Sequence, residues 1–317
     1  LKFPIKNQPN LLTIMGCICT RRGTSEEAIL PNSPPTTCVA LEAFPVSSNE
    51  HVQKLQKELP PFAYQDISYE VTDAVNFGAY SIGHNQIYEG QWKNGQRNGR
   101  GKLMWPDGSI YEGYWKNNTA NGKGRFIHAD GTVIEGNFLN SKAHGHCKCT
   151  KPDGSVLEGH FEKDALNGKG KARMPDESTY EGDFLNSEPH GKGVIAWDDG
   201  VKYEGEFRYG KKEGQGVMTW PDGRKYEGQW KNDKMHGEGI YSWPEGKMYK
   251  GHYVEDKKEG YGEFIWPDGR LYKGNWSDGK RHGKGMYRSK DGVEQEGEWE
   301  YDKRINRENG VINTENQ

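Results

Sequence analysis

The stretch "IYEGQWKNGQRNGRGKLMWPDGS" (residues 87–109) is the unit from which most of this 317-residue chain is built. The unit occurs ten times with a period of 23 residues and without insertion. Its marker glycine stands at Gly90, Gly113, Gly136, Gly159, Gly182, Gly205, Gly228, Gly251, Gly274 and Gly297. Repeats with periods of about 20–50 residues form solenoids, propellers or other arrays. The sequence therefore predicts a tandem array rather than a globule with one central core.

Each copy predicts two short strands. In the first copy, Tyr88, Gly90 and Trp92 share one face because strand side chains alternate. The segment "WPDGS" (105–109) predicts a tight turn, since proline presets its backbone angle and glycine supplies a positive φ. The segment "KNGQRNG" (93–99) is interpreted as a longer loop between the strands. Consecutive hairpins of this kind form an antiparallel meander.

Glycines are expected to make room for aromatic rings in this array. Gly90 and the pair Gly99 and Gly101 lack a Cβ, so Tyr and Trp rings of adjacent strands can lie over them. Aromatic residues make up 12% of the chain, with 17 Tyr and 10 Trp, and this argues against a disordered chain. The predicted fold is all-β: an elongated, single-layer antiparallel β-meander of about ten hairpin repeats. A mostly disordered N-terminal segment with one short helix precedes it.

The stretch "YEGQWKNGQRNGRGKLMWPDG" (88–108) resembles the MORN repeat (membrane occupation and recognition nexus), and the resemblance covers about residues 76–305. It implies a rod-like single-layer sheet that serves as a scaffold, tether or dimerising platform at membranes, cilia or cytoskeletal boundaries. Some relatives append a phosphoinositide kinase or a SET methyltransferase domain, for which "RENGVINTENQ" (307–317) is too short. This chain departs from the pattern where Cys147 replaces a glycine and Glu177 replaces a turn glycine.

The segment "HGHCKC" (144–149) is the one candidate metal cluster in the sequence. Cys147 and Cys149 are expected on one face of a strand. His144 belongs to a column that recurs at His190, His236 and His282, two copies apart, so these histidines cannot share one ion. No second ligand pair is present for zinc. The segment 144–149 is interpreted as sequence drift in one copy of the repeat. The column that contains His144 is interpreted as a source of polar side chains that cap a loop. No metal and no cofactor is predicted.

Other catalytic patterns are weaker still. Glycine-rich segments such as "GKG" do not form a GxxxxGK[ST] loop, and no G-x-G-x-x-G opens a helix. The carboxylates of the columns that begin at Glu89 and Asp107 recur in nearly every copy, which is typical of a structural role. No catalytic residue is predicted, and the chain is interpreted as non-enzymatic.

Charge is distributed unevenly along each repeat. Nine eight-residue segments, from "KNGQRNGR" to "SDGKRHGK", contain 19 Lys/Arg against 10 Asp/Glu, whereas the nine opposite turns sum to −6. A meander places these two sets on opposite edges, so we expect a basic edge that binds anionic membrane lipids or an acidic protein. The alternative is a solvated edge that limits aggregation. The basic-edge residues singled out are Lys93, Arg97, Arg100, Lys116, Lys211, Lys212, Lys280 and Arg281. The net charge of −3 and the lack of a reading motif argue against nucleic acid.

The segment before the repeats contains one helical pattern. "SSNEHVQKLQKEL" predicts a short helix capped by Asn49 or a serine, with Val52, Leu55 and Leu59 on one face. The helix is expected to dock on the first hairpins, with partner binding as the alternative. No run of 18 apolar residues and no secretory signal is found in the sequence. Five cysteines, clustered and odd in number, favour a reducing, intracellular location.

The segment "MGCICT" (15–20) fits the myristoylation pattern M-G-x-x-x-[ST], with Gly16 as acceptor. Cys17 and Cys19 are palmitoylation candidates, and the pair Arg21 and Arg22 follows them. One myristoyl chain binds membranes only marginally, so a second signal of this kind is needed. Myristoylation requires translation to begin at Met15, which would make residues 1–14 a leader or an untranslated region read through. The alternative is an internal "MGCIC" in a disordered leader.

The sequence therefore predicts a non-enzymatic repeat scaffold held at the cytoplasmic face of a membrane by dual acylation. Unidentified protein partners and a homodimer are expected alongside anionic lipids. The alternatives are a soluble ciliary or cytoskeletal protein in the cytoplasm, or the repeat fragment of a kinase or SET-domain enzyme. The predicted organisation is leader 1–14, acylation tip and flexible linker 15–48, helix and connector 49–75, repeat array 76–310 and tail 311–317.

Overall fold

The computed structural model describes residues 33–35, 37–64, 73–308 and 311–315. The predicted acylation sites Gly16, Cys17 and Cys19 lie outside these described residues. Two compact units make up the chain: unit 1 is Leu1–Pro175 with Phe184–Glu188, and unit 2 is Asp176–Asp183 with Pro189–Gln317.

Unit 1 begins with elements that precede the repeats. They are β1 (Val39–Leu41), α1 (Glu50–Glu58) and β2 (Val75–Ser81). Each repeat then supplies a short strand of seven residues and a long strand of nine. In unit 1 these are β3 (Ile87–Lys93), β4 (Gln96–Met104), β5 (Ile110–Lys116), β6 (Thr119–Ile127), β7 (Val133–Leu139), β8 (Lys142–Thr150), β9 (Val156–Glu162) and β10 (Ala165–Arg173).

The pattern continues through the remaining strands. They are β11 (Thr179–Leu185), β12 (Glu188–Ala196), β13 (Lys202–Arg208), β14 (Lys211–Thr219), β15 (Lys225–Lys231), β16 (Lys234–Ser242), β17 (Met248–Val254), β18 (Lys257–Ile265), β19 (Leu271–Ser277), β20 (Lys280–Arg288), β21 (Glu294–Glu300), β22 (Lys303–Glu308) and β23 (Val311–Glu315). Consecutive strands pair antiparallel within each unit, so the predicted meander is confirmed. The segment predicted as a tail contains β23, which pairs with β22.

The connection within each hairpin is tighter than predicted. Only Asn94 and Gly95 separate β3 from β4, and both have positive φ, 52° and 69°. That is the conformation of a type I′ turn, whose twist matches that of the flanking strands. The prediction of a longer loop over 93–99 was therefore wrong, because the chain turns at once and the rest of the segment continues as β4. A register shift between Gly90 and Trp92 absorbs the extra residues as a bulge.

The connection between hairpins is the predicted tight turn. The N–H of Gly108 donates to the carbonyl of Trp105 at 3.0 Å, and the N–H of Trp105 donates to the carbonyl of Ser109 at 3.0 Å. Gly108 has φ +84°, in the left-handed region that favours glycine. The side chain of Asp107 accepts from the N–H of Ser109 at 3.0 Å and completes the turn.

Aromatic rings on one face, here called the aromatic face, form the core of each unit. The buried ring of Tyr88 lies over Gly101, where an added Cβ would come within 2.2 Å of its hydroxyl oxygen. That hydroxyl donates to the carbonyl of Gln91 at 3.0 Å. The ring meets Trp92 and Trp115 edge-to-face at centroid distances of 5.1 and 5.5 Å. The same arrangement recurs at Tyr111, Tyr180, Tyr203, Tyr226, Tyr249 and Tyr272. The predicted packing of rings on glycines is confirmed.

Helix α1 docks on unit 1, as predicted. Asn49 is its N-cap, accepting from the N–H of Val52 at 3.2 Å. Val52 is fully buried in a cluster formed by Met104, Ile110, Ile127 and Val133, and Leu55 and Leu59 pack against that cluster. The helix therefore covers the face opposite the aromatic one.

Candidate functional site

The face opposite the aromatic face, here called the polar face, carries a row of side chains that runs across the strands. Each member lies directly opposite the next one in the β-ladder. In unit 1 the row alternates strictly between acid and base: Glu89, Lys102, Glu112, Arg125, Glu135, Lys148, Glu158 and Lys171. Opposite charges that face each other across strands stabilise a sheet. Arg125 and Glu135, for example, form an ion pair at 2.7 Å.

The same row changes composition in unit 2. It reads Val194, Glu204, Val217, Glu227, Ile240, Lys250, Glu263, Lys273, Met286 and Glu296, again with each member opposite the next. Three aliphatic residues, Val194, Val217 and Ile240, stand where unit 1 has cations. Glu204 and Glu227 consequently face aliphatic side chains on both neighbouring strands.

Residues 37–64, here called the strap, pack on the polar face of the first repeats of unit 1. The guanidinium of Arg125 donates to the carbonyl of Pro60 at 2.7 Å. Tyr64 meets Tyr114 edge-to-face at 5.6 Å, and Lys102 lies 4.8 Å from the ring centre of Phe44. The cations of the row therefore bind carbonyls and rings of the strap as well as the neighbouring glutamates.

The strap also binds the turns between hairpins. Ser47, which is 1% exposed, donates through its hydroxyl to the carbonyl of Gly108 at 2.9 Å. The amide of Asn49 donates to the carbonyl of Ala129, one repeat further on, at 3.0 Å. The same amide also donates to the carbonyl of Asp107 at 3.4 Å, so two adjacent turns are joined through one capping residue.

The predicted basic-edge residues divide into two groups. Arg100, Lys116, Lys211 and Lys280 are exposed, and Lys93 is half-buried beside Asp73, with Nζ 3.4 Å from its carboxylate. The other three extend over the aromatic face. Arg97 lies 4.6 Å from the ring centre of Trp115, and burial lowers its pKa to about 10. The exposed basic edge therefore contains fewer residues than the eight that were predicted. Its role in binding lipid or protein stays a prediction.

Lys212 and Arg281 belong to the same column as Arg97. Lys212 is only 5% exposed, with its ammonium 5.3 Å from the ring centre of Trp230, and burial lowers its pKa. Arg281 lies 5.7 Å from the ring centre of Tyr272 and pairs with Asp302 at 3.1 Å. These cations stabilise the core by cation–π contact rather than face solvent.

Sequence reasoning missed Lys258, the most perturbed lysine of this column. Its ammonium lies between 4.6 and 5.9 Å from the ring centres of Trp276, Phe264, Tyr249 and Trp243. Burial lowers its pKa to about 8, although Asp302 acts in the opposite direction. Its spacing of 23 residues from Arg281 and 46 residues from Lys212 was the one signal in the sequence, but the segment that holds this column was interpreted as a loop, so no face was assigned to it.

The candidate metal cluster is split by the sheet. Cys147 and Cys149 are buried, whereas the side chain of His146 is 72% exposed and lies 3.5 Å from Glu158 on the polar face. Within the described residues, no group of three or more His, Cys, Asp and Glu side chains is arranged to hold a metal ion. Burial raises the pKa of the Cys147 thiol to about 11, which makes it a poor nucleophile and a poor metal ligand.

The column that contains His144 does cap turns in several copies. The side-chain oxygen of Asn98 accepts from the N–H of Asn117 at 3.2 Å, and Asn167 binds Asn186 in the same way at 3.0 Å. The carboxylate of Glu213 accepts from the N–H of Asn232 at 3.1 Å. The predicted loop-capping role is confirmed for these Asn and Glu members.

Comparison with known families agrees with the repeat geometry. The family model described as "MORN repeat" matches nine consecutive segments: 88–110, 111–133, 135–156, 158–179, 180–202, 203–223, 226–248, 249–269 and 272–294. This chain belongs to the MORN repeat family. The family is a structural repeat, so the chain is a repeat scaffold. No curated protein matches the sequence.

Solved structures give weaker likenesses. The TCP10 domain of Danio rerio CPAP is 14% identical over 70% of this chain and 96% of that chain, with a TM-score of 0.36. The TCP10c domain of Drosophila melanogaster Sas-4 is 12% identical over 55% of this chain and 97% of that chain, with a TM-score of 0.30. In the part of the chain that the structure describes, no helix has the length and apolar character needed to cross a bilayer.

Proposed function

We propose that this MORN scaffold acts without catalysis of its own and is held at the cytoplasmic face of a membrane by dual acylation. Gly16 is the proposed myristoylation site, and Cys17 and Cys19 are the proposed palmitoylation sites. The basic edge adds affinity for anionic lipid, and the repeats present protein partners near the bilayer. Self-association of the repeats is part of the same proposal.

The observation that supports the proposal most directly is the docking of the strap. Residues 37–64 bind the first repeats through Ser47, Asn49, Val52 and Tyr64. The anchor sequence is therefore tethered to unit 1 through a segment that is itself fixed to the sheet. A lipid attached at Gly16 would hold the first repeats close to the membrane.

The charge of the first two hairpins supports the same orientation. "KNGQRNGR" (93–100) and "KNNTANGK" (116–123) contain five Lys/Arg and no Asp/Glu. In unit 2, cations within the corresponding segments pair with acids of the next turn. Lys234 meets Glu255 at 3.0 Å, and Lys257 binds Asp278. The basic edge is thus strongest in the repeats that the strap holds.

Two measurements test the anchor. The N-terminal peptide of the protein purified from its native cell should begin at acylated Gly16 when analysed by intact mass. The Gly16→Ala variant should move from a pellet released only by detergent into the soluble fraction. A peptide that runs unbroken through Met15 would contradict the anchor and leave a soluble scaffold.

Charge reversal tests the lipid-binding edge. Lys116→Glu with Lys123→Glu should weaken binding to phosphatidylserine vesicles about tenfold or more, since each well-placed cation contributes about 1 kcal/mol. Lys211→Glu with Lys280→Glu, at exposed positions of unit 2, reverses the same number of charges; it is the control and should have a smaller effect. Unchanged vesicle binding by the first pair would rule out the edge as a lipid surface.

A further inference from the structure

The polar face of unit 2 carries an aliphatic stripe formed by Val194, Val217 and Ile240. These residues come from alternate strands β12, β14 and β16, and Glu204 and Glu227 lie between them on β13 and β15. Val194 and Val217 are half-buried, and Ile240 is 36% exposed. Unit 1 has a cation at the positions of the row that correspond to these three residues, whereas unit 2 has a branched apolar side chain there.

Carboxylates border the stripe and stay accessible. Glu204 and Glu227 form ion pairs with lysines two residues away on their own strands, Lys202 at 3.2 Å and Lys225 at 2.7 Å. Their side chains nevertheless remain 66% and 60% exposed. Such exposed pairs contribute little to stability, so the glutamates can exchange partners at small free-energy cost. An incoming cation therefore meets carboxylates flanked by apolar side chains.

Unit 1 shows how this kind of sheet accommodates a helix on its polar face. Helix α1 buries Val52 there, and Leu59, seven residues later, packs against the same cluster. Its turns are covered too, since a Cβ added at Gly108 would meet Asn49 at 2.5 Å. At the corresponding turn of unit 2, a Cβ at Gly223 would meet only Pro244 among the described residues. Within the part of the chain that the structure describes, this turn is thus covered in unit 1 and open in unit 2.

We propose that the stripe in unit 2 is a docking surface for a basic amphipathic helix of a partner protein. Neighbouring strands lie about 4.8 Å apart, so successive members of the stripe are about 9.6 Å apart. Helix residues seven apart are separated by about 10.5 Å along the axis, which matches this spacing closely. Lys or Arg three or four residues after each apolar residue would then fall opposite Glu204 and Glu227. Charge complementarity selects a basic helix over an acidic one.

This inference rests on the proposed scaffold function and specifies the surface that would present a partner. It does not depend on the lipid anchor. A test in solution, without vesicles, therefore fails or succeeds independently of the membrane measurements.

The test uses two synthetic helical peptides and the full chain. One peptide has leucine at i, i+7 and i+14 with lysine at the intervening i+3 and i+4 positions; the other replaces every lysine with glutamate. Fluorescence anisotropy should show that the lysine peptide binds at least about tenfold more tightly than the glutamate peptide, with the difference falling at high salt. No binding of the lysine peptide below about 1 mM, or equal binding of both, would overturn the proposal.

Two variants locate the binding surface. Val194→Lys, Val217→Lys and Ile240→Lys together recreate the alternating row of unit 1, so the fold should be retained while binding of the lysine peptide falls at least about tenfold. Lys148→Val with Lys171→Val transfers the aliphatic pattern to unit 1 and should create additional binding. Thermal unfolding monitored by circular dichroism checks that both variants are folded. Unchanged affinity in the triple variant would place the peptide elsewhere and refute the assignment.

Discussion

The first and third repeats build the same hairpin from different side chains. In the first repeat, Tyr88 lies over Gly101, and its hydroxyl donates to the carbonyl of Gln91 at 3.0 Å. In the third, the tyrosine column holds Ile134 and the glycine column holds Cys147. The thiol of Cys147 donates to the carbonyl of Asn137 at 3.2 Å, which is the position that corresponds to Gln91.

The comparison shows how one column compensates for the other in the third repeat. A shorter side chain at the tyrosine position leaves a volume that the cysteine side chain occupies, and the thiol replaces the hydroxyl as donor. Cys147 is 1% exposed, as a side chain that fills such a gap should be. What the hairpin requires is a filled space and a hydrogen-bonded carbonyl rather than a particular residue. Cys147 is therefore a compensating residue, not random drift in one copy.

The strongest way to break the coupling is Gly101→Cys in the first repeat. The new Cβ would lie 2.2 Å from the Tyr88 hydroxyl oxygen and 2.5 Å from its ring carbon Cζ, so the ring must leave its site. We expect a loss of about 3 kcal/mol or more in the free energy of unfolding, measured by urea denaturation.

The double variant Tyr88→Ile with Gly101→Cys copies the third repeat and supplies the control. It should be more stable than Gly101→Cys alone by about 1–2 kcal/mol, because the clash is removed and the thiol can reach the Gln91 carbonyl. A double variant that is as unstable as the sum of the two single changes would contradict the coupling.

The reverse change, Cys147→Gly, tests the third repeat itself. It removes the thiol from beneath Ile134, leaves a small cavity, and deprives the Asn137 carbonyl of its donor. We expect a loss of about 2 kcal/mol, measured in the same denaturant series. Cys147→Ala keeps the Cβ and loses the donor, so it should lie between the glycine variant and the native chain. Equal stability of all three proteins would show that the cysteine is not needed there.

How far the sequence predicts this fold depends on the strand considered. In β3 the alternation of Tyr88, Gly90 and Trp92 correctly predicted the face of each side chain. In β4 the first residues were interpreted as a loop, so Arg97 was assigned to an exposed edge but lies over Trp115. The ladder pairs Gly101 with Gly90 and Arg97 with Trp92, so the bulge holds two extra residues of β4 and leaves Arg97 on the face of Gly101. The repeat pattern alone does not show that β4 begins directly after the turn.

Turns and helix docking illustrate the same limit. Asn-Gly at 94–95 is a strong hairpin signal, but it stands in one copy while others carry pairs such as Asn-Asn and Lys-Asp. The apolar spacing of Val52, Leu55 and Leu59 predicted both helix α1 and its docking. Its hydrogen bonds to turn carbonyls were not predictable, because they join residues about 60 to 80 positions apart.

Because α1 docks on unit 1, two corresponding turns of the repeat can be compared, and the expected difference in stability is smaller than those above. Gly108 and Gly223 have nearly the same φ, +84° and +87°, so alanine strains both backbones equally. Only at Gly108 would the new Cβ also strike Asn49 and Ser47, at 2.5 and 2.6 Å. We expect Gly108→Ala to be less stable than Gly223→Ala by about 1 kcal/mol, and to increase amide exchange in α1. Equal loss of stability, with α1 still protected, would mean that the strap contributes little there.

A pH-dependent effect concerns the column over the aromatic face, in which Lys258 corresponds to Met235 one repeat earlier. The pKa of Lys258 is about 8 in the folded chain, below its unfolded value of about 10.5, because burial penalises the charged ammonium. Between these values the unfolded state binds more protons, so stability should rise with pH across that window; below pH 8 both states are protonated and the lysine gives no slope.

Lys258→Met removes this titration and places the side chain of Met235 in the next repeat. The slope of unfolding free energy against pH between about 8 and 10 should become shallower by at most about 1.4 kcal/mol per pH unit. The neighbouring charges Asp302 and Arg281 remain in place in the variant. Burial raises the pKa of tyrosines such as Tyr272, and their effect on the slope is the same in the native chain and the variant. The exposed Lys280→Met is the control for the loss of one positive charge, since it keeps Lys258 in place. Identical slopes for the native chain and Lys258→Met would show that the ammonium reaches water, and the column would then be an extension of the basic edge rather than part of the core.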